Sequence, residues 1–345
     1  MDKALLAQTA AAMVASGKGL LAADESAGTC AKRFAAANIP DSAEMRRTYR
    51  EMLFTTPAMK ATISGVILHD ETIRQKTSKG VPFADYLNSI GVIPGIKVDA
   101  GTRNLSAAPG ELISDGLDNL QARMKEYFAL GARFAKWRAV ITIGSVGNTD
   151  IPTSRCIWAN AHALARYAAI CQEAGIVPVV EPEVLLDGDH SIDTSFDVTE
   201  AVLRTLMSQM ADNKVSVEHT ILKASMVISG KDGKNRASRA EVGARTLECL
   251  KRTVPGAMPG IVFLSGGQSD IDSAAHLNEM NLGHIRGSNP WPLTFSYSRA
   301  LHFTALKVWK GKPENYKAAQ TAFAHRCKMN SLASKGKWTL AAESA

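Results

Sequence analysis

Residues 217–230 read VEHTILKASMVISG, and the position that decides the fold is Lys223, set inside an apolar run by Ile221 and Leu222 before it and Met226, Val227 and Ile228 after it. A run of this length predicts a strand that carries a cation into the interior. Lysine is rarely buried without a partner or a task. The task that suits it is nucleophilic: burial and neighbouring cations favour the free amine, which attacks a carbonyl to form a Schiff base. The competing reading is an edge-strand lysine whose stem packs while its head reaches water. What the other strands bring alongside decides between them.

Further apolar runs at residues 19–24 (GLLAAD), 63–70 (ISGVILHD), 93–99 (IPGIKVD), 132–143 (ARFAKWRAVITI), 176–185 (IVPVVEPEVL), 260–265 (GIVFLS) and 293–298 (LTFSYS) read as strands. Helical spacing separates them at residues 115–130, 154–174, 195–210, 239–250 and 269–280, and an amphipathic helix opens the chain. Eight strands alternating with helices predict an α/β protein of the (β/α)₈ TIM barrel type over residues 1–310. A doubly wound open sheet is the alternative, but no GxGxxG opens a helix after the first strand. Residues 311–345 read as one more helix followed by a polar, mobile tail.

Composition narrows the class. With 345 residues, 46% hydrophobic and 21% charged, the chain is globular and long enough for one large domain. The net charge of +7 is spread without a Lys/Arg block, which suits a small anionic substrate or an acidic surface and does not imply nucleic acid. Five cysteines with no CxxC predict free thiols in a reducing compartment. No leader-like or membrane-spanning run is present, so a soluble, cytoplasmic protein with no membrane partner is expected.

Most strand ends turn abruptly from apolar to charged: Asp24, Lys97 with Asp99, Lys136 with Arg138, Glu181 with Glu183, and Lys223. Residues two apart share a strand face, and barrel sites lie at the carboxyl ends of the strands. The pairs are therefore expected to converge on one mouth. There Lys136 would help keep the Lys223 amine neutral by like-charge repulsion, and Glu181 or Glu183 would exchange protons with a carbinolamine. Asp24 would hold or deprotonate a hydroxyl, and Lys97 and Arg138 suit an anionic group at the far end of a substrate. The turn Ser265-Gly266-Gly267 after the seventh strand lets backbone N–H groups approach a phosphate, and Arg299 beyond the eighth supplies a fork.

The segments GKGLLAADES (17–26), PGIKVD (94–99), FAKWR (134–138), VEPE (180–183), ILKASMV (221–227), FLSGGQS (263–269) and FSYSRAL (295–301) together resemble class I fructose-bisphosphate aldolase, in order and over nearly the whole chain. The resemblance implies a (β/α)₈ homotetramer that needs no metal or other cofactor. It implies reversible cleavage of fructose 1,6-bisphosphate, a phosphorylated sugar, into dihydroxyacetone phosphate and glyceraldehyde 3-phosphate. It further implies that Lys223 is the Schiff-base lysine and Glu181 the acid/base of imine formation. Asp24 is then the carboxylate at the C4 hydroxyl, positioned by Lys136. Ser265, Gly266 and Arg299 would hold the phosphate nearest the ketone. Lys97, Arg138, Ser26, Thr29, Lys32 and Arg33 would surround the other, although a solvated helix face explains Lys32 and Arg33 equally well.

Three departures stand out. Ala224-Ser225 replaces the usual Pro-Asn after the lysine, and Ser298 replaces a glycine where backbone is expected to touch phosphate. Vertebrate members end in a tyrosine that helps proton exchange at the enamine, whereas the last tyrosine here is Tyr316. Rival classes are a zinc aldolase, for which His69 and His219 form no motif, a transaldolase-like or deoxyribose-phosphate-type lyase with a single phosphate pocket, and a basic scaffold without activity.

Overall fold

The computed structural model describes residues 2–344. Eight parallel strands close into a barrel: β1 (Gly19–Ala23), β2 (Ile63–Leu68), β3 (Ile93–Lys97), β4 (Phe134–Ile141), β5 (Val177–Val184), β6 (Ile221–Ala224), β7 (Ile261–Phe263) and β8 (Leu293–Tyr297). Each pairs with its neighbours in sequence, and β1 meets β8 with Leu20 opposite Ser296 and Leu21 opposite Tyr297. The expected (β/α)₈ architecture is the observed one.

Period-two alternation explains where the chemistry sits. On β6 the inward stripe is Ile221 then Lys223; on β4 it is Phe134, Lys136, Arg138; on β5 it is Val177, Val179, Glu181, Glu183. Each stripe begins apolar and ends charged. The apolar starts form one cluster with Leu20, Ile67 and Val262, and the N-terminal helix Lys3–Met13 adds Leu6, Ala10 and Met13 to the same cluster. That helix plugs the floor of the barrel and leaves the charged upper end open. Phe134 fills the axis because β3 carries Gly95, where a Cβ would come within 2.2 Å of the ring. The opposite strand faces pack beneath the surrounding helices, with Trp137, Leu164 and Tyr167 buried between β4 and the helix Ser154–Glu173.

Two expectations need correction. The apolar run after Lys223 is not strand: β6 ends at Ala224, and residues 225–230 form a buried loop. Its backbone is satisfied by side chains from distant helices, with Val227 N donating to Thr246 Oγ1 (3.0 Å) and Ile228 N to Ser195 Oγ (3.2 Å). The helix expected from residue 115 begins at Leu120, because Leu112–Ser114 pairs with Thr102–Asn104 in a hairpin that the Arg103–Asp115 ion pair extends.

After the helix Arg299–Trp309 the chain makes a further helix, Tyr316–Ala333, and a 3₁₀ turn, Leu340–Ser344. The segment beyond Ala333, expected as a mobile tail, packs in the structure: Trp338 is buried and its Nε1 donates to Glu343 (2.7 Å), which also accepts from Arg326. No helix among the described residues is long and apolar enough to cross a membrane.

Candidate active site

All of the sequence-predicted site residues line one cavity of about 740 Å³ at the open end of the barrel. At its base the strand ends bring four charges into a chain. Lys136 Nζ lies 2.7 Å from Asp24 Oδ2 and 3.3 Å from Glu181 Oε2, while Lys223 Nζ lies 3.0 Å from Glu181 Oε1. The side chains of Lys136, Glu181 and Lys223 are each exposed by no more than 5%. Lys223 is therefore an interior lysine with a partner, not a snorkelling edge residue.

The electrostatics differ in one respect from the sequence expectation. Burial pulls the Lys136 ammonium toward its neutral form, but Asp24, Glu181 and Asp99 more than reverse this and raise its pKa. Burial likewise works against the Asp24 carboxylate, and Lys136 and Lys223 outweigh it, so Asp24 titrates below the ordinary range. Lys136 is thus matched by two acids, and the group facing the Lys223 amine is a carboxylate. The Lys223 and Glu181 head groups lie 3.0 Å apart, within reach of proton exchange.

Above this base, Arg138 pairs with Glu183, and Lys97 donates to Asp99 Oδ1 (2.5 Å) and to the Asp99 carbonyl (2.7 Å). Both cations reach the cavity with their charge already compensated. Arg299 and Lys32 also line it, and neither has an ion-pair partner among the described residues. Arg299 opens its helix next to the glycine turn, where a Cβ on Gly267 would lie 3.5 Å from Arg299 Nη2. Gly266 and Gly267 have φ of +52° and +93°, conformations that favour glycine and shape an open, N–H-lined loop. Ser265 accepts from Gln268 N through its carbonyl (2.9 Å), closing the turn.

Across the mouth, Ser26 caps the helix Ala27–Ala36, accepting from Thr29 N (3.3 Å), and that helix presents Thr29, Lys32 and Arg33 to the cavity. Arg33 bonds to Glu25 and to Ser298 Oγ (3.1 Å). Glu25 is the residue sequence reasoning left unassigned. It is buried, it also accepts from Arg50 Nη2 (2.7 Å), and it lies 3.1 Å from His302 Nε2. Burial raises its pKa, but Arg50, His302 and Arg33 together hold it well below the usual carboxylate range. The available signal was the ADES segment itself, which sets a second acid directly beside Asp24. Asp99 and Ser296 also line the cavity; period two from Lys97 and from Ser298 marks both. Ser225, one of the departures, spans β5 and β6, its Oγ bonding to Val184 N and Val184 O at 3.0 Å each. Tyr316 lies outside the cavity lining, its hydroxyl 3.2 Å from Thr55 Oγ1.

The chain is similar to known proteins over nearly its whole length. Residues 5–345 match the family model described as fructose-bisphosphate aldolase class-I. The chain is 59% identical over 334 residues to a protein of Xanthomonas campestris pv. campestris named probable fructose-bisphosphate aldolase class 1, covering 96% of this chain and 98% of that one. It is 50% identical to the cytosolic fructose-bisphosphate aldolase 6 of Arabidopsis thaliana, over 93% of this chain and 87% of the relative. A solved structure of Plasmodium falciparum fructose-bisphosphate aldolase, in complex with TRAP and a small-molecule inhibitor, superposes with a TM-score of 0.94 at 44% identity, covering 97% of this chain and 95% of that chain. The chain belongs to the class I fructose-bisphosphate aldolase family.

Proposed function

We infer that this protein is a fructose-bisphosphate aldolase that cleaves fructose 1,6-bisphosphate reversibly to dihydroxyacetone phosphate and glyceraldehyde 3-phosphate through a Schiff base on Lys223. The observation that carries the mechanism is the Lys223–Glu181 contact inside a closed-floor cavity. Proton transfer across it gives a free amine and a carboxylic acid in one step. The amine adds to the C2 ketone, and Glu181 returns the proton to the carbinolamine oxygen so that water leaves. The resulting iminium withdraws electrons from C3. Asp24 takes the C4 hydroxyl proton, the C3–C4 pair flows into the enamine, and the aldehyde departs. Lys136, held by Asp24 and Glu181, keeps both carboxylates oriented, and Glu183 fixes Arg138.

Two groups of candidate phosphate-binding residues on the cavity wall support a bisphosphate over the single-phosphate lyases. One is the glycine turn with Ser265, Gly266 and Arg299, which has no ion-pair partner among the described residues; the other is the Ser26–Thr29–Lys32–Arg33 helix end with Lys97 and Arg138, which are already paired with Asp99 and Glu183. Family membership supports a homotetramer working in the cytoplasm without a metal, in the breakdown or synthesis of sugars.

Borohydride reduction in the presence of dihydroxyacetone phosphate is expected to trap a covalent adduct on Lys223. Peptide mass mapping that finds the adduct on another residue, or none at all, overturns the reading. Arg299→Ala is expected to lower kcat/KM for phosphorylated ketoses by about ten- to a hundredfold, the worth of a charge-assisted contact. Dephosphorylated analogues should lose little. Equal losses for both would remove Arg299 from the site.

A further inference from the structure

The structure gives the Ser298 hydroxyl a defined task. It lies between β8 and the helix Arg299–Trp309, and its Oγ has three neighbours: Arg33 Nη1 at 3.1 Å, Glu25 Oε1 at 3.3 Å and His302 Nε2 at 3.1 Å. Donor accounting fixes its orientation. Arg33 can only donate. His302 Nε2 also faces the Ala22 carbonyl (3.2 Å) and Glu25 Oε1, both acceptors, so it carries the ring hydrogen, and Nδ1 is left to accept from the Tyr49 hydroxyl (2.7 Å). With two donors facing it, the Ser298 hydroxyl sends its single hydrogen to Glu25.

The charges around it do not cancel. One carboxylate, Glu25, serves two guanidinium groups, leaving a surplus positive charge at this wall of the cavity. Arg50 is buried and tied to the Ala23 carbonyl (2.9 Å), so it cannot turn toward a ligand. Arg33 is the member that reaches the cavity. Two acceptors restrain it, the Glu25 carboxylate and the Ser298 hydroxyl. Without the hydroxyl, only Glu25 remains to hold the guanidinium, and the fork is free to rotate against the carboxylate.

We infer that Ser298 is a specificity-determining residue of this enzyme: its hydroxyl, locked between Glu25 and Arg33, presets the guanidinium that receives the phosphate remote from the ketone, and thereby sets the preference for a bisphosphate over a monophosphate. The inference rests on the Schiff-base aldolase reading and assigns a determinant within it. Ser298 acts through Arg33 and is a positioning residue. Because it precedes Arg299 in the chain, it also joins the two anion sites through one backbone segment.

The test compares fructose 1,6-bisphosphate with fructose 1-phosphate in wild type, Ser298→Ala, Ser298→Gly and Ser298→Thr. Removal of one hydrogen bond to a charged group is expected to lower kcat/KM for the bisphosphate by about five- to tenfold. The monophosphate value should fall less than the bisphosphate value, since the group Arg33 serves is missing from it, so the ratio of the two is the readout. Threonine keeps the hydroxyl and should restore most of the discrimination. Melting temperatures close to wild type confirm that the variants are folded. Equal losses on both substrates, or an unchanged ratio in the Ala and Gly variants, overturn the inference. Borohydride trapping on the same samples separates the two levels: an adduct on Lys223 with an unmoved ratio defeats only the role of Ser298, whereas no adduct in wild type defeats the aldolase reading beneath it.

Discussion

Lys223→Met is expected to lower kcat by about five orders of magnitude, the scale on which an enzyme loses its nucleophile, while leaving the fold and the anion sites in place. Methionine matches the lysine stem in length and packs well in an apolar strand. The loss is chemical, because the neighbouring amines are already engaged, Lys136 by Asp24 and Glu181 and Lys97 by Asp99. Removing one of two cations leaves Asp24 and Glu181 facing Lys136 alone. The Asp24 carboxyl, held low by Lys136 and Lys223 against burial, should then titrate higher. Competition binding by a phosphorylated product analogue should be nearly unchanged in the variant. Retained turnover would mean that Lys223 is not the nucleophile, and lost binding would mean that it holds the substrate.

The second large effect falls on stability. Glu25→Gln is expected to cost about 3–5 kcal/mol, the range for breaking a buried pair and stranding its partner. Arg50 is fully buried, and its Nη1 has no hydrogen-bond partner, so the compensation it receives rests on Glu25. The sign with pH follows from Glu25's depressed pKa. Its folded carboxyl titrates well below the ordinary value near 4.5, so its contribution is complete above that pH and is lost as pH falls toward the folded value. Denaturant midpoints of wild type and variant should differ most at neutral pH and converge in acid. A gap that stays constant through the acid range would mean that the carboxylate charge is not what stabilises this cluster.

The period-two stripes made the centre of the site readable in advance. Phe134–Lys136–Arg138 and Glu181–Glu183 point inward because alternation leaves them no other choice on a strand buried on both faces. Pairing was not readable, since Lys136 finds Asp24 just past the end of a strand more than a hundred residues earlier, and nothing local favours that acid over Asp99. Glu25 escaped assignment for a similar reason: its partners Arg33, Arg50 and His302 come from three separate helices. The loop after Lys223 was misread as strand because apolar composition reports burial and not conformation. Thr246, Ser195 and the His190 carbonyl, brought in by tertiary packing, let an irregular backbone lie buried there. The helix start at Leu120 was obscured by a hairpin whose strands are three residues each, too short for any pattern to emerge.

The plugged floor has a kinetic consequence. With Leu6, Ala10 and Met13 stoppering the axis, traffic to the lysine must pass in and out by the same doorway. In the proposed Schiff-base mechanism the fragment tethered to the amine sits deepest, so its untethered sibling has to vacate first, and in the reverse direction the tethered piece must arrive before its reaction partner. The opening helix, remote from every reacting atom, thereby imposes a queue.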